Sequence, residues 1–430
     1  MTKKKKNSLE IIQGNMSNGM QVMILPTPDS ELVSVGMFVK AGVKYENRKN
    51  NGISHFLEHM MYQGTSRRNG VKIANDLDKV GANYNAATSY EFTFYDIIGQ
   101  IKDIDLFLEI IIDIFYNSSL NNKEINREKK IVLEEMRMYK DDKRAVLEDI
   151  YHEKMYKGKS LAMPILGTET NVMNFTKKDL VDYKKKFYRN DNSVLVVIGN
   201  VKLKTISTKL DLLFNKFSKE IDEICLPNKI KSYTQERPYL SINYDNNMEQ
   251  TLVKIVFRTF GRNYPYSEAL QILEEILSSG SSSRLFHLLR NKLAATYFNF
   301  VENDQYEDAG SFIITLGVDP KQVTKVIKAI LVEIKRLKTK KILKSELTKI
   351  ENIRKTNEIL RNESSVQDSL FSYGIDALFA DGFNNQVTNL RPTDIVNVAK
   401  VIFSPENLSI FILGPFNQKE EVVDIMDKFR

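Results

Sequence analysis

Two of the four histidines in this 430-residue chain, His55 and His59, lie four residues apart. If the segment is helical, a rotation of about 100° per residue brings the two imidazoles within roughly 40° of each other on consecutive turns. This spacing allows both rings to bind one metal ion. Glu58 lies about 60° from His55 on the same side, so its carboxylate can reach a water at the metal without being a ligand.

The flanking residues favour a short helix around this group. Asn51 can cap its start, and Gly64 can end it. The order His-x-x-Glu-His has the form of the inverted motif of zinc peptidases. The alternative interpretation is a pair of half-buried core histidines beside a solvent-facing glutamate, and a third ligand would distinguish the two.

A third ligand is expected because catalytic zinc usually combines three protein ligands with one open position for water. The segment Asn126–Tyr139 has apolar residues at helical spacing and carries several glutamates. Glu128 and Glu135 are seven residues apart and share one face, whereas Glu134 points about 100° away. Spacing alone leaves Glu128 and Glu135 as alternative ligands.

Together these motifs resemble the pitrilysin/insulinase family of zinc metallopeptidases, which includes the mitochondrial processing peptidase. In that family the third ligand follows the second histidine by about 76 residues, and 135 − 59 = 76 selects Glu135 here. The resemblance also implies that Glu128, one heptad earlier, supports the site without binding the metal. The similarity extends from about residue 16 to residue 415.

Two further stretches carry the resemblance. A family pattern of Asn-Ala followed by Thr is present, which implies that substrate binds at Asn85, Ala86 and Thr88. An arginine and a tyrosine seven residues apart match the signature of the second domain, because 297 − 290 = 7. This match implies that Arg290 and Tyr297 are catalytic donors to the oxyanion that forms during peptide cleavage. Without the resemblance, they read as a helix-surface arginine and the start of a strand.

The resemblance therefore implies Zn²⁺ as the cofactor, with His55, His59 and Glu135 as ligands and Glu58 as the general base. The predicted function is that of an endopeptidase that cleaves short or unfolded peptides, held as an added β-strand in a closed chamber. One alternative is a dedicated peptidase that processes a leader or targeting peptide. Another is a non-catalytic scaffold of the same fold, which is less favoured because all the motif residues are present.

Charge and composition exclude several other classes. The net charge is +7, and the run Lys3–Lys6 supplies four of these charges, so 7 − 4 = +3 remains and nucleic acid is not an expected partner. No window offers 18 uncharged apolar residues, so no membrane association is predicted. The first residues lack a targeting pattern, and the single Cys225 excludes an internal disulfide. A cytoplasmic location is predicted.

Strands and helices alternate along the chain, which predicts an α+β fold with layered domains. The patterns predict the following strands and helices: strands at Leu32–Val39, Tyr84–Gln100 and Asn192–Gly199, and helices at Val71–Val80 and Asp103–Phe115. The length predicts at least two domains. The expected division is a zinc-binding domain at 1–215, a linker at 216–238 and a homologous domain at 239–430.

An internal repeat supports this division. Asn192–Gly199 has a counterpart in Asn407–Gly414, displaced by 407 − 192 = 215 residues. At a displacement of 216, His55, Glu58 and His59 fall on Gln271, Glu274 and Glu275. The second copy lacks both histidines, so only the first half is expected to bind metal. We predict two homologous α/β domains with antiparallel-rich sheets and helices on one face. The resemblance implies that they form a clamshell and that the chain is a homodimer.

Overall fold

The computed structural model describes residues 12–217, 235, 237–363, 366–379 and 390–429. The chain divides into two compact units. Unit 1 contains residues 1–141, 152–227 and 358–380, and unit 2 contains residues 142–151, 228–357 and 381–430. The units therefore differ from the sequence-based division in two segments, 142–151 and 358–380. The expected linker falls mainly on residues 218–234 and 236, which lie outside the described residues.

The first half of the chain alternates strands with amphipathic helices. Its elements are β1 (Ile12–Asn15), β2 (Gln21–Pro26), β3 (Leu32–Val39), α1 (Ile53–Met61), α2 (Gly70–Asp78), β4 (Asn83–Thr88), β5 (Thr93–Gln100), α3 (Ile104–Asn117), α4 (Asn122–Asp141), α5 (Lys143–Met155), α6 (Glu169–Asn174), α7 (Lys177–Phe187), β6 (Ser193–Gly199) and α8 (Leu203–Phe217). The segment Tyr84–Gln100, predicted as one strand, is a hairpin of β4 and β5. Ser89 to Phe92 form its turn, where the N–H of Ser89 donates to the carbonyl of Phe92.

The first sheet has the order β1-β2-β6-β3-β5-β4, in which β2 and β6 are parallel and the other neighbouring pairs are antiparallel. Alternation along β3 places Val33, Val35 and Met37 in the hydrophobic core, where α3 packs against β3 and β5. The sheet is thus antiparallel-rich, as predicted, and β4 lies at its edge.

A helix from the second half of the chain covers the other face of this sheet within unit 1. We label the helix of residues Val366–Leu378 α13, in chain order, and it packs against β3 and β6. Gly36 permits the approach, because a Cβ there would lie 2.8 Å from a methyl carbon of Leu370. The rings of Phe371 and Phe94 also meet, with centroids 5.2 Å apart. Helices therefore cover both faces of the first sheet, whereas the sequence predicted helices on one face only.

The second half of the chain repeats these elements. They are β7 (Tyr239–Tyr244), β8 (Thr251–Thr259), α9 (Ser267–Ser278), α10 (Arg284–Phe286), β9 (Thr296–Gln305), β10 (Gly310–Val318), α11 (Val323–Thr339), α12 (Lys344–Glu363), α13, α14 (Pro392–Ile402), β11 (Leu408–Gly414) and α15 (Lys419–Phe429). The second sheet has the order β7-β11-β8-β10-β9, with β7 and β11 parallel. This order matches β2-β6-β3-β5-β4 strand for strand, which confirms the predicted duplication.

The second sheet is also covered on its other face within unit 2, by the start of α5. The rings of Tyr151 and Phe411 lie edge to face, with centroids 5.8 Å apart.

None of the described helices combines the length and apolarity needed to cross a bilayer.

Candidate metal centre

The N-terminus of α1 is capped differently from the prediction. Gly52 is the N-cap residue and has a left-handed φ of 95°, whereas the side chain of Asn51 donates to Glu46 at 2.9 Å. The buried Glu46 carboxylate accepts the backbone N–H groups of Gly52 and Ser54, each at 2.8 Å. A carboxylate is favourable at this position because it meets the positive end of the helix dipole. The prediction that Asn51 caps the helix is therefore wrong.

Apolar packing fixes the orientation of α1. Phe56, Leu57, Met60 and Met61 are all buried in the core of unit 1. Helical geometry then directs His55 away from the Phe56 side of the helix and toward α4, which α1 contacts. The histidines are thus positioned by the burial of their apolar neighbours.

The second element of the site, α4, has a buried face of its own. Ile125, Val132 and Met136 are buried in the core, and Glu128 shares this face with a side chain only 2% exposed. Glu135 lies one heptad after Glu128 and is 29% exposed. The carboxylates of Glu128 and Glu135, the two candidate ligands, therefore differ clearly in solvent exposure.

The side chains of His55, His59 and Glu135 converge. The Oε2 atom of Glu135 lies 3.6 Å from Nε2 of His55 and 3.3 Å from Nε2 of His59. The potential ligand atoms of the three residues all lie within 4.8 Å of one another. Ligands about 2.0–2.1 Å from a tetrahedral zinc ion are separated by roughly 3.3–3.4 Å, so the observed distances suit three ligands of one ion.

One buried polar atom in this group, Oε2 of Glu135, supports a metal site. Oε2 of Glu135 and Nδ1 of His55 have no hydrogen-bond partner among the described residues. A buried polar atom without a partner is costly unless it binds something else. Since a cation placed between the Nε2 atoms and this oxygen satisfies Glu135, and since two imidazoles and a carboxylate are typical zinc ligands, the residues fit Zn²⁺.

Glu128 contacts His59 on the side of the ring that faces away from Glu135. Its Oε2 lies 3.4 Å from Nδ1 of His59, so Nε2 of the same ring remains directed at Glu135. Arg127 donates to the other oxygen of Glu128 at 3.3 Å. Carboxylates commonly fix the tautomer and orientation of a ligating histidine in this way. The arrangement suits the supporting role predicted for Glu128.

The residues of the site shift the pKa values of one another. Burial lowers the pKa of His59, but the nearby carboxylates of Glu128 and Glu135 outweigh this effect and raise it to about 10. Burial also raises the pKa of Glu135, yet its close contacts with the rings of His55 and His59 bring it down to about 2. Because a histidine must be deprotonated to bind a metal ion, metal binding at this site would release a proton from His59.

Glu58 stands beside the group without joining it. Burial raises the pKa of Glu58, and the neighbouring charges of His55 and His59 oppose this shift. Its Oε2 accepts a hydrogen bond from Oγ1 of Thr88 at 3.1 Å. A carboxylate held next to a metal site, but outside the ligand group, can exchange protons there.

The predicted substrate residues lie on β4. Alternation places Ala86 and Thr88 on the side of α1, where Ala86 packs against the core. The side chain of Asn85 is exposed and points to the opposite side, like that of its ladder partner Asp96. Any contact between Asn85 and a peptide near α1 would therefore be made by its backbone.

Arg290 and Tyr297 belong to unit 2. Arg290 is exposed on a π-helical turn, His287–Lys292, with its guanidinium 5.9 Å from the ring centre of Phe286. Tyr297 lies in β9 at a register shift, since Gly317 pairs with Phe298 and Val318 pairs with Thr296. Single π turns and bulges are frequent near functional sites. The catalytic roles of both residues stay predictions.

Unit 2 has an ion pair at the position that corresponds to the candidate metal site of unit 1. Glu274 and Glu275 occupy the positions on α9 that correspond to Glu58 and His59. Arg354, on α12, donates to both oxygens of Glu275 at 2.9 and 2.8 Å and to Glu268 at 3.1 Å. A guanidinium thus joins α9 to α12, as Glu135 joins α4 to the histidines of α1.

The buried carboxyl at Glu274 predicts a pH-dependent stability. Burial raises its pKa to about 7, and the carboxylates of Glu275, Glu302 and Asp304 add to this effect while Arg354 opposes it. The folded state then binds more protons than the unfolded state, so Glu274 destabilises unit 2 as the pH rises from about 4.5 to 7. We expect E274Q to raise the melting temperature by a few degrees at pH 8 but hardly at pH 4.5, a gain of about 1–2 kcal/mol.

Thermal unfolding of the parent and E274Q at both pH values measures this effect. E134Q is the control, because Glu134 is 67% exposed and should change neither melting temperature. An equal shift of E274Q at pH 4.5 and pH 8 would contradict the assignment.

Comparison with known proteins agrees with the fold and the candidate site. Residues 21–169 match the model of the insulinase family (peptidase family M16), and residues 174–353 match the model of the peptidase M16 inactive domain. The chain belongs to this family of peptidases. The second match agrees with the absence of histidine from α9.

Particular relatives cover most of the chain. An uncharacterized zinc protease of Rickettsia felis is 30% identical over 93% of this chain and 96% of its own length. The mitochondrial-processing peptidase subunit beta of Pongo abelii is 30% identical over 77% of this chain and 69% of its own length. The crystal structure of a protease from Helicobacter pylori has the same fold, with a TM-score of 0.83 and 24% identity over 94% of this chain and 100% of that one.

Proposed function

We propose that this chain is a zinc-dependent endopeptidase. The convergence of both Nε2 atoms with the Glu135 carboxylate carries the proposal, together with the position of Glu58 on the same helix outside that group. Three protein ligands leave a fourth position for water, as catalytic zinc sites require. The relative from Rickettsia felis, itself described as a zinc protease, supports the same assignment.

The residues of the site divide the chemistry among them. His55, His59 and Glu135 would hold the zinc ion, which supplies polarisation of the scissile carbonyl and a lowered pKa for water when it is bound. Glu58 takes a proton from the attacking water while the oxygen of that water bonds to the carbonyl carbon. Glu58 then returns this proton to the amide nitrogen as the C–N bond breaks. Glu128 keeps the ring of His59 in its orientation.

The substrate would be an extended peptide. Among the described residues β4 pairs only with β5, so its other edge presents backbone donors and acceptors. A peptide that adds to this edge is recognised through its backbone, with little dependence on sequence. Such binding requires an extended chain, so the proposed substrates are short or unfolded peptides.

A dedicated processing peptidase is the second candidate. The similarity to a mitochondrial-processing peptidase subunit favours it. Cleavage of a peptide library separates the two, since a general peptidase cuts many sequences and a processing peptidase few. The homodimer remains a proposal from the family resemblance, and light scattering tests it. The cytoplasmic location remains a proposal from the lack of a targeting pattern and the single cysteine, and cell fractionation tests it.

Zinc analysis combined with peptide hydrolysis tests the proposed function. We expect about one zinc ion per chain and hydrolysis that a strong chelator abolishes and added zinc restores. The metal ion is required because the side chains of His55, His59, Glu135 and Glu58 include no other electrophile that could polarise the scissile carbonyl. Hydrolysis that continues after complete removal of zinc would contradict the proposal. Bound zinc without hydrolysis of any library peptide would favour the scaffold alternative.

A further inference from the structure

The hydroxyl of Thr88 makes a contact that the predicted substrate-binding role does not require. Its Oγ1 lies 3.1 Å from Oε2 of Glu58 and is the donor, because an ionised carboxylate only accepts. Within the described part of the chain, no other group hydrogen-bonds to the carboxylate of Glu58. Thr88 therefore determines how this carboxylate is presented.

A glutamate that exchanges protons needs such a contact. Its side chain has several rotatable bonds, so a free carboxylate samples many orientations beside the metal site. With Oε2 bound to Thr88, Oε1 remains available for the proton of the attacking water. A hydrogen bond to a charged group is also among the stronger ones.

The donor itself is held rigidly. Thr88 is the last residue of β4 and is paired in the ladder with Thr93 of β5. Thr93 in turn donates to the carbonyl oxygen of Ala41 at 2.8 Å and is fully buried. A hydroxyl on a paired strand keeps a more constant position than one on a loop.

A second contact joins the same two elements. Tyr62 follows the last residue of α1, and its ring lies 5.3 Å from that of Tyr84 on β4, measured between centroids. Its hydroxyl lies 3.3 Å from the carbonyl oxygen of Asp96 on β5. The edge to which a peptide would add is therefore fixed relative to α1 at two points, and Thr88 is the point at Glu58.

We propose that Thr88 is a positioning residue that orients Glu58 for proton transfer, and that its side chain does not act as a substrate contact. This inference rests on the proposed function, since it gives Glu58 a proton to move. A positioning residue affects the rate of the chemical step, whereas a substrate contact affects binding as well.

The test uses T88V, which keeps the branched shape and strand preference but lacks the hydroxyl. We expect kcat to fall about ten-fold or more, the order of a lost hydrogen bond to a charged group. KM, zinc content and the melting temperature should stay at parent values. T88S restores the hydroxyl and should restore kcat. T208V is the matched control, because Thr208 is exposed on α8 and donates to Lys204.

Several outcomes would overturn the inference. A parent kcat in T88V does so, as does a raised KM with unchanged kcat, which indicates a substrate contact. If T88V loses zinc or unfolds, T88S decides: a ten-fold loss of kcat in zinc-loaded T88S overturns the inference, and a parent kcat supports it. The proposed function fails separately, when the parent protein still hydrolyses peptides after complete removal of zinc.

Discussion

E58Q is expected to hydrolyse peptides about 10²- to 10⁴-fold more slowly than the parent while it binds zinc normally. Glutamine has nearly the same shape as glutamate and still accepts the hydroxyl of Thr88, but it cannot take a proton. Glu58 is not a member of the converging ligand group, so its charge is not needed to hold the ion. Rate and zinc content should therefore separate, with kcat reduced and the zinc stoichiometry unchanged.

E274Q is the matched control for this measurement. Glu274 occupies the corresponding position on α9, where there is no histidine, so the same substitution should leave hydrolysis at the parent rate. Steady-state kinetics on one unstructured peptide, with metal analysis of each preparation, is sufficient. If E58Q cleaves as fast as the parent, Glu58 is not the base. If E58Q loses zinc, the carboxylate of Glu58 is a ligand, contrary to its assignment as a base outside the ligand group.

E135Q is expected to lose zinc and, with it, all hydrolysis. Substitution of a group that only supports a ligand commonly weakens metal binding 10- to 100-fold, so removal of a ligand should cost more than about 100-fold in affinity. Glu135 is the single carboxylate that contacts both Nε2 atoms among the described residues. The amide oxygen of glutamine is neutral and binds a dication much more weakly.

Competition with a zinc-binding dye measures the affinity of E135Q. E134Q is its control, since Glu134 is the next residue on α4, is 67% exposed and pairs with Arg137. E134Q should match the parent in affinity and rate. E128Q should fall between the two, with weaker zinc binding and some remaining activity, because Glu128 only orients His59. Parent affinity in E135Q, with loss of zinc in E128Q, would reverse the two roles.

The local parts of the site could be predicted because they depend on short-range geometry. His55, Glu58 and His59 share one side of a helix, and helical rotation alone places them together. The apolar spacing of α4 likewise indicated a helix with two possible ligands on one face. Spacing could not choose between Glu128 and Glu135, because the choice depends on how α4 packs. Family resemblance supplied that choice, and the contacts of Glu135 with both histidines agree with it.

Longer-range features escaped the sequence patterns. The capping carboxylate of Glu46 comes from before the helix and reaches two backbone N–H groups that no motif identifies. The contact between Thr88 and Glu58 joins residues 88 − 58 = 30 positions apart, so only the packing of the β4–β5 hairpin on α1 reveals it. The hairpin itself was missed because its turn is formed by Ser89 to Phe92, which lack Gly and Pro.

The sequence by itself determined the helix that carries the candidate ligands, the duplication and the loss of both histidines from the second copy. Each of these follows from residue types at fixed spacing, because helices, strands and internal repeats produce periodic patterns in the sequence. Only the tertiary structure decided which carboxylate meets the histidines, which hydroxyl contacts Glu58, and that α13, from the second half of the chain, covers one face of the first sheet. These features depend on side chains brought together from distant positions, and close packing selects such contacts without leaving a local pattern.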